Sequence, residues 1–94
     1  MCGICGLTWS DSDLIRKMGN KIKHRGPEQE GFFVDEHVSL CCEGLKILDL
    51  RETAKQPQHN EDSTIWVVLN GEIYNFREVR EKLEQNHTFY TNSD

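Results

Sequence analysis

Cys2 directly follows Met1, the most chemically suggestive placement in the sequence. A small second residue permits removal of the initiator methionine, which leaves a thiol and a free α-amino group on one residue. That amine has an ordinary pKa of about 7.7 to 8.0, so near neutral pH part of it is unprotonated and can accept the proton of its own thiol. A processed Cys2 would be a nucleophile carrying its own base; by position alone an incidental cysteine near the start is the better description. Cys2-x-x-Cys5 also has the spacing of half a zinc or redox site, with Cys41-Cys42 as the other half. Adjacent strand residues point to opposite faces, so Cys41 and Cys42 do not converge on one ion without a bend. His37, His59 and His87 show no ligand spacing, and Cys5, Cys41 and Cys42 read as small buried apolar residues; no metal is expected.

The elements that must position these residues follow from periodicity and its punctuation. Gly3 to Trp9 reads as a first strand. Ser10-Asp11-Ser12-Asp13 then opens a helix, with acidic side chains where the helix dipole favours them. Leu14, Ile15, Met18 and Ile22 form its apolar stripe, and Gly26-Pro27 ends it. Gly31 to Val34 and His37 to Cys42 predict a hairpin around Asp35-Glu36, and Leu45 to Leu50 a further strand. Arg51 to Asp62, polar and holding Pro57, reads as a loop. Thr64 to Leu69 is apolar nearly throughout, which predicts a central strand covered on both faces. Asn70-Gly71 is a turn pair, by itself the mark of a plain hairpin. Glu72 to Tyr74 reads as extended. Asn75, with Glu78 three residues on, opens a second helix with Phe76, Val79 and Leu83 as its buried stripe and Glu78–Lys82 as an i,i+4 pair. The alternation of strands and helices predicts an α+β arrangement.

Composition excludes several classes. The net charge of −5 lacks the clustered cations that nucleic-acid binding needs. No apolar run is long enough for a bilayer, and no signal-type stretch precedes Gly3, which makes the cytoplasm the expected compartment. With 94 residues, of which 36% are hydrophobic, the chain makes one domain at most, with a modest core.

Three motifs in order, Met1-Cys2-Gly3-Ile4, His24-Arg25-Gly26-Pro27-Glu28 and Leu69-Asn70-Gly71-Glu72-Ile73-Tyr74-Asn75, resemble the class II (N-terminal nucleophile) glutamine amidotransferases, most closely the branch of glutamine-hydrolysing asparagine synthetases. Leu45 to Leu50 and Gln56-Pro57 fall where that branch has its Leu-Ser-Ile-Ile-Asp and Gln-Pro elements. The resemblance covers the whole chain. It implies a glutaminase domain over residues 1–94, incomplete at its C-terminus, forming the N-terminal part of a four-layer αββα sandwich. It also implies roles. Mature Cys2 attacks the glutamine side-chain amide to give a thioester and ammonia. Asn70 through its side chain and Gly71 through its backbone N–H form the oxyanion hole, and a side chain at residue 71 would crowd the incoming amide. Glu72 and Asp94 hold the substrate's α-ammonium group, while Arg25 and Gly26 line the wall behind the nucleophile.

Residues 44–48, Gly44, Leu45, Lys46, Ile47 and Leu48, fall on the substrate-binding strand. Here the chain departs from the family: aligning Leu45 places Gly44 where the carboxylate-binding arginine belongs, so the bidentate clamp is missing. Lys46, on the same strand face, is the candidate replacement charge. The resemblance implies no cofactor in this chain, with ATP and Mg2+ confined to an absent synthetase domain or subunit that receives the ammonia. Glutamine is the expected small-molecule partner; neither nucleic acid nor membrane is expected. Self-association into a homo-oligomer is open, because half a sandwich exposes sheet edges and apolar faces. The alternative is a degenerate or truncated module with a structural or binding role.

Overall fold

The computed structural model describes residues 2–44 and 55–94. The architecture is α+β. β1 (Gly3–Leu7), β2 (Gln29–Val34) and β3 (Ser39–Gly44) form an antiparallel sheet in the order β1-β3-β2, with Cys5 opposite Cys41 and Gly31 opposite Cys42. The chain between β1 and β2 forms α1 (Ser12–Ile22), a 3-10 turn over Lys23–Arg25, and a corner at Gly26.

The first strand stops at Leu7 rather than Trp9 because Ser39 captures the next turn. The fully buried Ser39 hydroxyl donates to the Trp9 carbonyl at 2.8 Å and accepts from the Asp11 N–H at 2.9 Å. Asp11 then caps α1, its Oδ1 accepting from the Leu14 N–H at 2.9 Å. Along the expected stripe Ile15 is completely buried, Met18 and Ile22 are half-buried, and Leu14 stays exposed. Gly19 sets how closely the helix approaches, since a Cβ there would stand 2.7 Å from Cys41 Sγ. The hairpin begins earlier and ends later than expected, and its turn closes through Asp35, whose Oδ1 accepts from the His37 and Val38 N–H groups at 2.8 Å each.

Under α1 lies Glu43, fully buried and paired across the sheet with Glu30. Burial first, and then the neighbouring Glu30 carboxyl, push its carboxyl above the usual range, while Lys23 opposes them. Lys23 also bridges Glu30 at 3.4 Å.

The opposite sheet face meets residues 56–66. Phe33 of β2 stacks on Trp66, with ring centroids 4.0 Å apart, and His59 and Tyr90 continue the column at 4.6 and 5.1 Å. Here the structure corrects three expectations. The loop over 51–62 contains β4 (Gln58–His59). The apolar run at 64–69 supplies only β5 (Trp66–Val67), paired with β4 in a two-stranded sheet. It is not a central covered strand: Ile65, Val67 and Leu69 are exposed, because the hydrogen-bonded partner of β5 is itself two residues long. Glu72–Tyr74 bends into α2 (Phe76–Leu83) instead of extending, the Phe76 N–H donating to the Ile73 carbonyl at 3.1 Å.

α2 contains no fully buried residue, so Val79 and Leu83 form no buried stripe. Its contacts run to the following segment. The Arg80 guanidinium lies over Phe89 and donates to the Thr91 carbonyl, while Glu78 accepts from Lys82 at 3.2 Å as the spacing predicts. The proposed strand at Leu45–Leu50 lies outside the described residues. No described helix is long and apolar enough to cross a membrane.

Candidate active site

Cys2 enters β1 one residue before Gly3, which pairs with Glu43, so the register carries Cys2 alongside Gly44. A carbon attached to the buried Gly44 would stand 3.7 Å from Cys2 Sγ, 3.9 Å from Cys42 Sγ and 3.9 Å from the Gln29 Cβ. All three are ordinary contact distances. Gly44 therefore sits packed among these side chains on the sheet face turned away from α1, beside the half-buried Cys2.

Cys42 is almost fully buried beside Cys2, and burial before all else pushes its thiol up to about 12, leaving Cys42 protonated and unable to compete as a nucleophile. Cys41, its neighbour in β3, faces the other way, toward Cys5 and Gly19, and burial raises its thiol further still. Cys5 is raised for the same reason. Among the described residues, no three His, Cys, Asp or Glu side chains group to hold a metal ion.

The corner at Arg25-Gly26 closes the other side of this strand end. A Cβ on Gly26 would meet the Glu43 carbonyl oxygen at 2.4 Å, so only glycine lets the corner pack on β3. A Cβ on Gly3 would meet the Arg25 Cβ at 3.2 Å. Arg25 and Gly26 thus stand directly against the strand ends that carry Cys2 and Gly44.

A second group of the expected residues gathers at the end of β5. The Gln56 side chain grips the Leu69 backbone from both sides, donating to its carbonyl at 3.0 Å and accepting from its N–H at 2.6 Å. This holds Asn70-Gly71 as an exposed bend. No described glycine has a positive φ, so the pair does not form the left-handed hairpin turn that Asn-Gly usually marks. Asp94 returns to the same place: its Oδ2 accepts from the Ile73 N–H at 2.6 Å, and its carboxyl bonds that of Glu72. That shared bond, with the adjacent charge, raises the Glu72 carboxyl. Two carboxyls held side by side make a place where an ammonium ion is favoured. Gly71, Leu69, Ile73 and Asp94 line one wall of a cleft of about 440 Å3; His59 and Tyr90 lie on it as well.

The expected residues therefore fall into two groups, Cys2 with Gly44 and Asn70–Glu72 with Asp94. Cys2 does not line the cleft, and Leu45, Lys46, Ile47 and Leu48 lie outside the described residues. Gln56 joins the groups: a Cβ on Gly31 would fall 1.7 Å from the Gln56 carbonyl oxygen, so its backbone lies on β2 while its side chain positions Leu69. Periodicity carries no signal for this role. Ser39 is equally invisible to it, a lone polar residue whose function depends on a partner far away in sequence.

The family model of the glutamine amidotransferase domain matches residues 1–94. Over its full length the chain is 44% identical to asparagine synthetase (glutamine-hydrolysing) 1 of Bacillus subtilis, 37% to enzyme 2 of that organism and 38% to asparagine synthetase (glutamine-hydrolysing) 2 of Arabidopsis thaliana. It covers 16%, 13% and 17% of those proteins, about a sixth of the length of the curated relatives it matches.

Proposed function

The chain belongs to the glutamine amidotransferase domain family, and from that premise we propose that it is the nucleophile-bearing part of a glutaminase module that supplies ammonia for asparagine biosynthesis. After loss of Met1, the Cys2 α-amino group takes the thiol proton and Sγ attacks the side-chain amide carbon of glutamine. The oxyanion that develops is met by the Asn70 side-chain N–H and the Gly71 backbone N–H; one such donor contributes about 2.7 to 4 kcal/mol to the transition state. Collapse breaks the C–N bond, the proton passes to the leaving nitrogen, and ammonia departs. Water then hydrolyses the thioester, giving glutamate and the free thiol.

The observation that carries this reading is the meeting of Glu72 and Asp94 beside Gly71, far apart in sequence and joined carboxyl to carboxyl. That pair is suited to the α-ammonium group of an amino acid and has no evident purpose in a purely structural module. The layering supports the αββα sandwich, with α1 on one face of the first sheet and β4–β5 against the other through Phe33 and Trp66. The relatives' greater length supports a synthetase domain or subunit as the ammonia acceptor, where ATP and Mg2+ would act; this chain's own steps need neither. One departure, Gly44 in place of a cationic clamp, favours a second reading as a non-catalytic module.

Intact-mass analysis of the chain treated with a diazo-ketone analogue of glutamine separates the two. The glutaminase reading expects a chain lacking Met1 that gains one adduct at Cys2, and a Cys2→Ala variant that gains none and releases no glutamate above background. A processed chain that stays unlabelled would sink it.

A further inference from the structure

Gln56 bonds the residue it faces across two strands, but with its side chain instead of its backbone. The pairing of β4 with β5 sets His59 opposite Trp66 and Gln58 opposite Val67, so two residues further out Gln56 falls opposite Leu69. The Gln56 carbonyl is turned onto β2, against Gly31, where a Cβ would overlap it. The side-chain amide serves in its place. It accepts from the Leu69 N–H at 2.6 Å and donates to the Leu69 carbonyl at 3.0 Å, the two bonds that a facing strand residue would exchange. The second of these fixes the peptide plane that leads into Asn70.

The bend that follows is fastened at its ends. Asp94 holds the far one, accepting from the Ile73 N–H at 2.6 Å. Between them little packs on the chain: a Cβ on Gly71 would meet, among the described residues, only the Leu69 side chain within 4 Å. The direction of the Asn70 and Gly71 N–H groups therefore depends on the fastenings. The Gln56 end is anchored on the sheet face of the nucleophile, since Gly31 pairs with Cys42, whose thiol lies beside Cys2. Resting on the glutaminase reading, we infer that Gln56 is a positioning residue for the oxyanion donors, holding Asn70 and Gly71 in place relative to the sheet that carries Cys2. Such donors lower a barrier only when aimed at the charge that develops, and a misplacement of about 1 Å can cost about a hundredfold in rate. The same reading gives the α-ammonium group to Glu72 and Asp94, whose fastening at Ile73 is separate. Loss of Gln56 should accordingly lower turnover more than binding.

The test measures glutamate release from glutamine by the processed chain, by Gln56→Ala and by Gln56→Met, which keeps the side chain's length without its bonds. Gln56 also lines the cleft, so kcat and KM are separated to tell an action on the bend from a contact with substrate. Iodoacetamide labelling of Cys2 and amide hydrogen exchange serve as controls. The expected result in both variants is a kcat about tenfold lower and a KM within about twofold of the wild type. Exchange at the Leu69 N–H should quicken, while iodoacetamide rates and the protection of α1 stay unchanged. An active wild type with kcat unchanged in Gln56→Met would overturn the role of Gln56 and leave the glutaminase reading intact. A raised KM at constant kcat would also overturn it, by making Gln56 a substrate contact. So would a parallel loss of α1 protection, which would make it a support of the whole fold. A wild-type chain that releases no Cys2-dependent glutamate removes both conclusions.

Discussion

Residues 2–44 and residues 55–94 carry similar apolar patterns, and only the first part buries them. In the first, α1 lies close enough on a three-stranded sheet to seal Ile15, Cys41 and Glu43. In the second, two-residue strands and a helix without buried residues leave Ile65, Val67, Leu69, Ile73, Val79 and Leu83 exposed. The difference is one of partners, since apolar side chains are buried only when another layer lies over them. Each half also holds one group of the candidate site, Cys2 with Gly44 in the first and Asn70–Glu72 with Asp94 in the second. The joint between halves is consequently a catalytic question as well as a structural one.

The strongest way to break the comparison is at that joint. Gly31→Ala drives a Cβ into the Gln56 carbonyl, a backbone overlap that no side-chain rotation relieves. It should destabilise the docking of the second half by about 3 kcal/mol or more. Loss of the Phe33–Trp66 stack in near-ultraviolet circular dichroism, with α1 and the first sheet still protected from hydrogen exchange, is the expected signature. A variant that melts as a single unit with the wild type's midpoint would mean that the halves are not separable.

Next in size is a matched pair of truncations. Ile15→Ala empties a completely buried site and should lower unfolding free energy by about 3 kcal/mol, whereas Leu83→Ala, at 42% exposure, should change it by no more than about 0.5 kcal/mol. Denaturant midpoints measure both. Equal losses would show that α2 is covered in solution, most simply by a second copy of the chain.

What the sequence made legible follows the same division. Local signals held where their partners are near in the chain: the acidic start of α1, the hairpin around Asp35 and the Glu78–Lys82 pair are all present. The apolar run at 64–69 spoke for a covered strand, and it could not say that its cover would be two residues of β4. The motifs named Cys2, Asn70, Gly71, Glu72 and Asp94, and the structure brings the last two into contact. Ser39 was silent, and Gln56 was visible only as part of a Gln-Pro element, because each acts through a partner that only the fold supplies. Gly44 stood out only against the family pattern, and the fold places it beside Cys2.

The smallest effect tests the same contrast at the two helix starts. Both sequences open with a capping residue, Asp11 before α1 and Asn75 before α2, and intrinsic preference ranks them as equals. In the fold only Asp11 makes the bond, to the Leu14 N–H, and its backbone N–H is tied to Ser39, so the strand end and the helix start hold one another in place. Asn75 makes no side-chain cap bond, and Arg80–Glu84 and Glu78–Lys82, both with exposed partners, add only tenths of a kcal/mol. Asp11→Ala should therefore lower stability by about 1 kcal/mol and Asn75→Ala by a few tenths, read as denaturant midpoints on otherwise identical chains. If Asn75→Ala proved as damaging as Asp11→Ala, the α2 start would be fastened by an Asn75 interaction absent from the structure, and the second half would be better anchored than its exposure indicates.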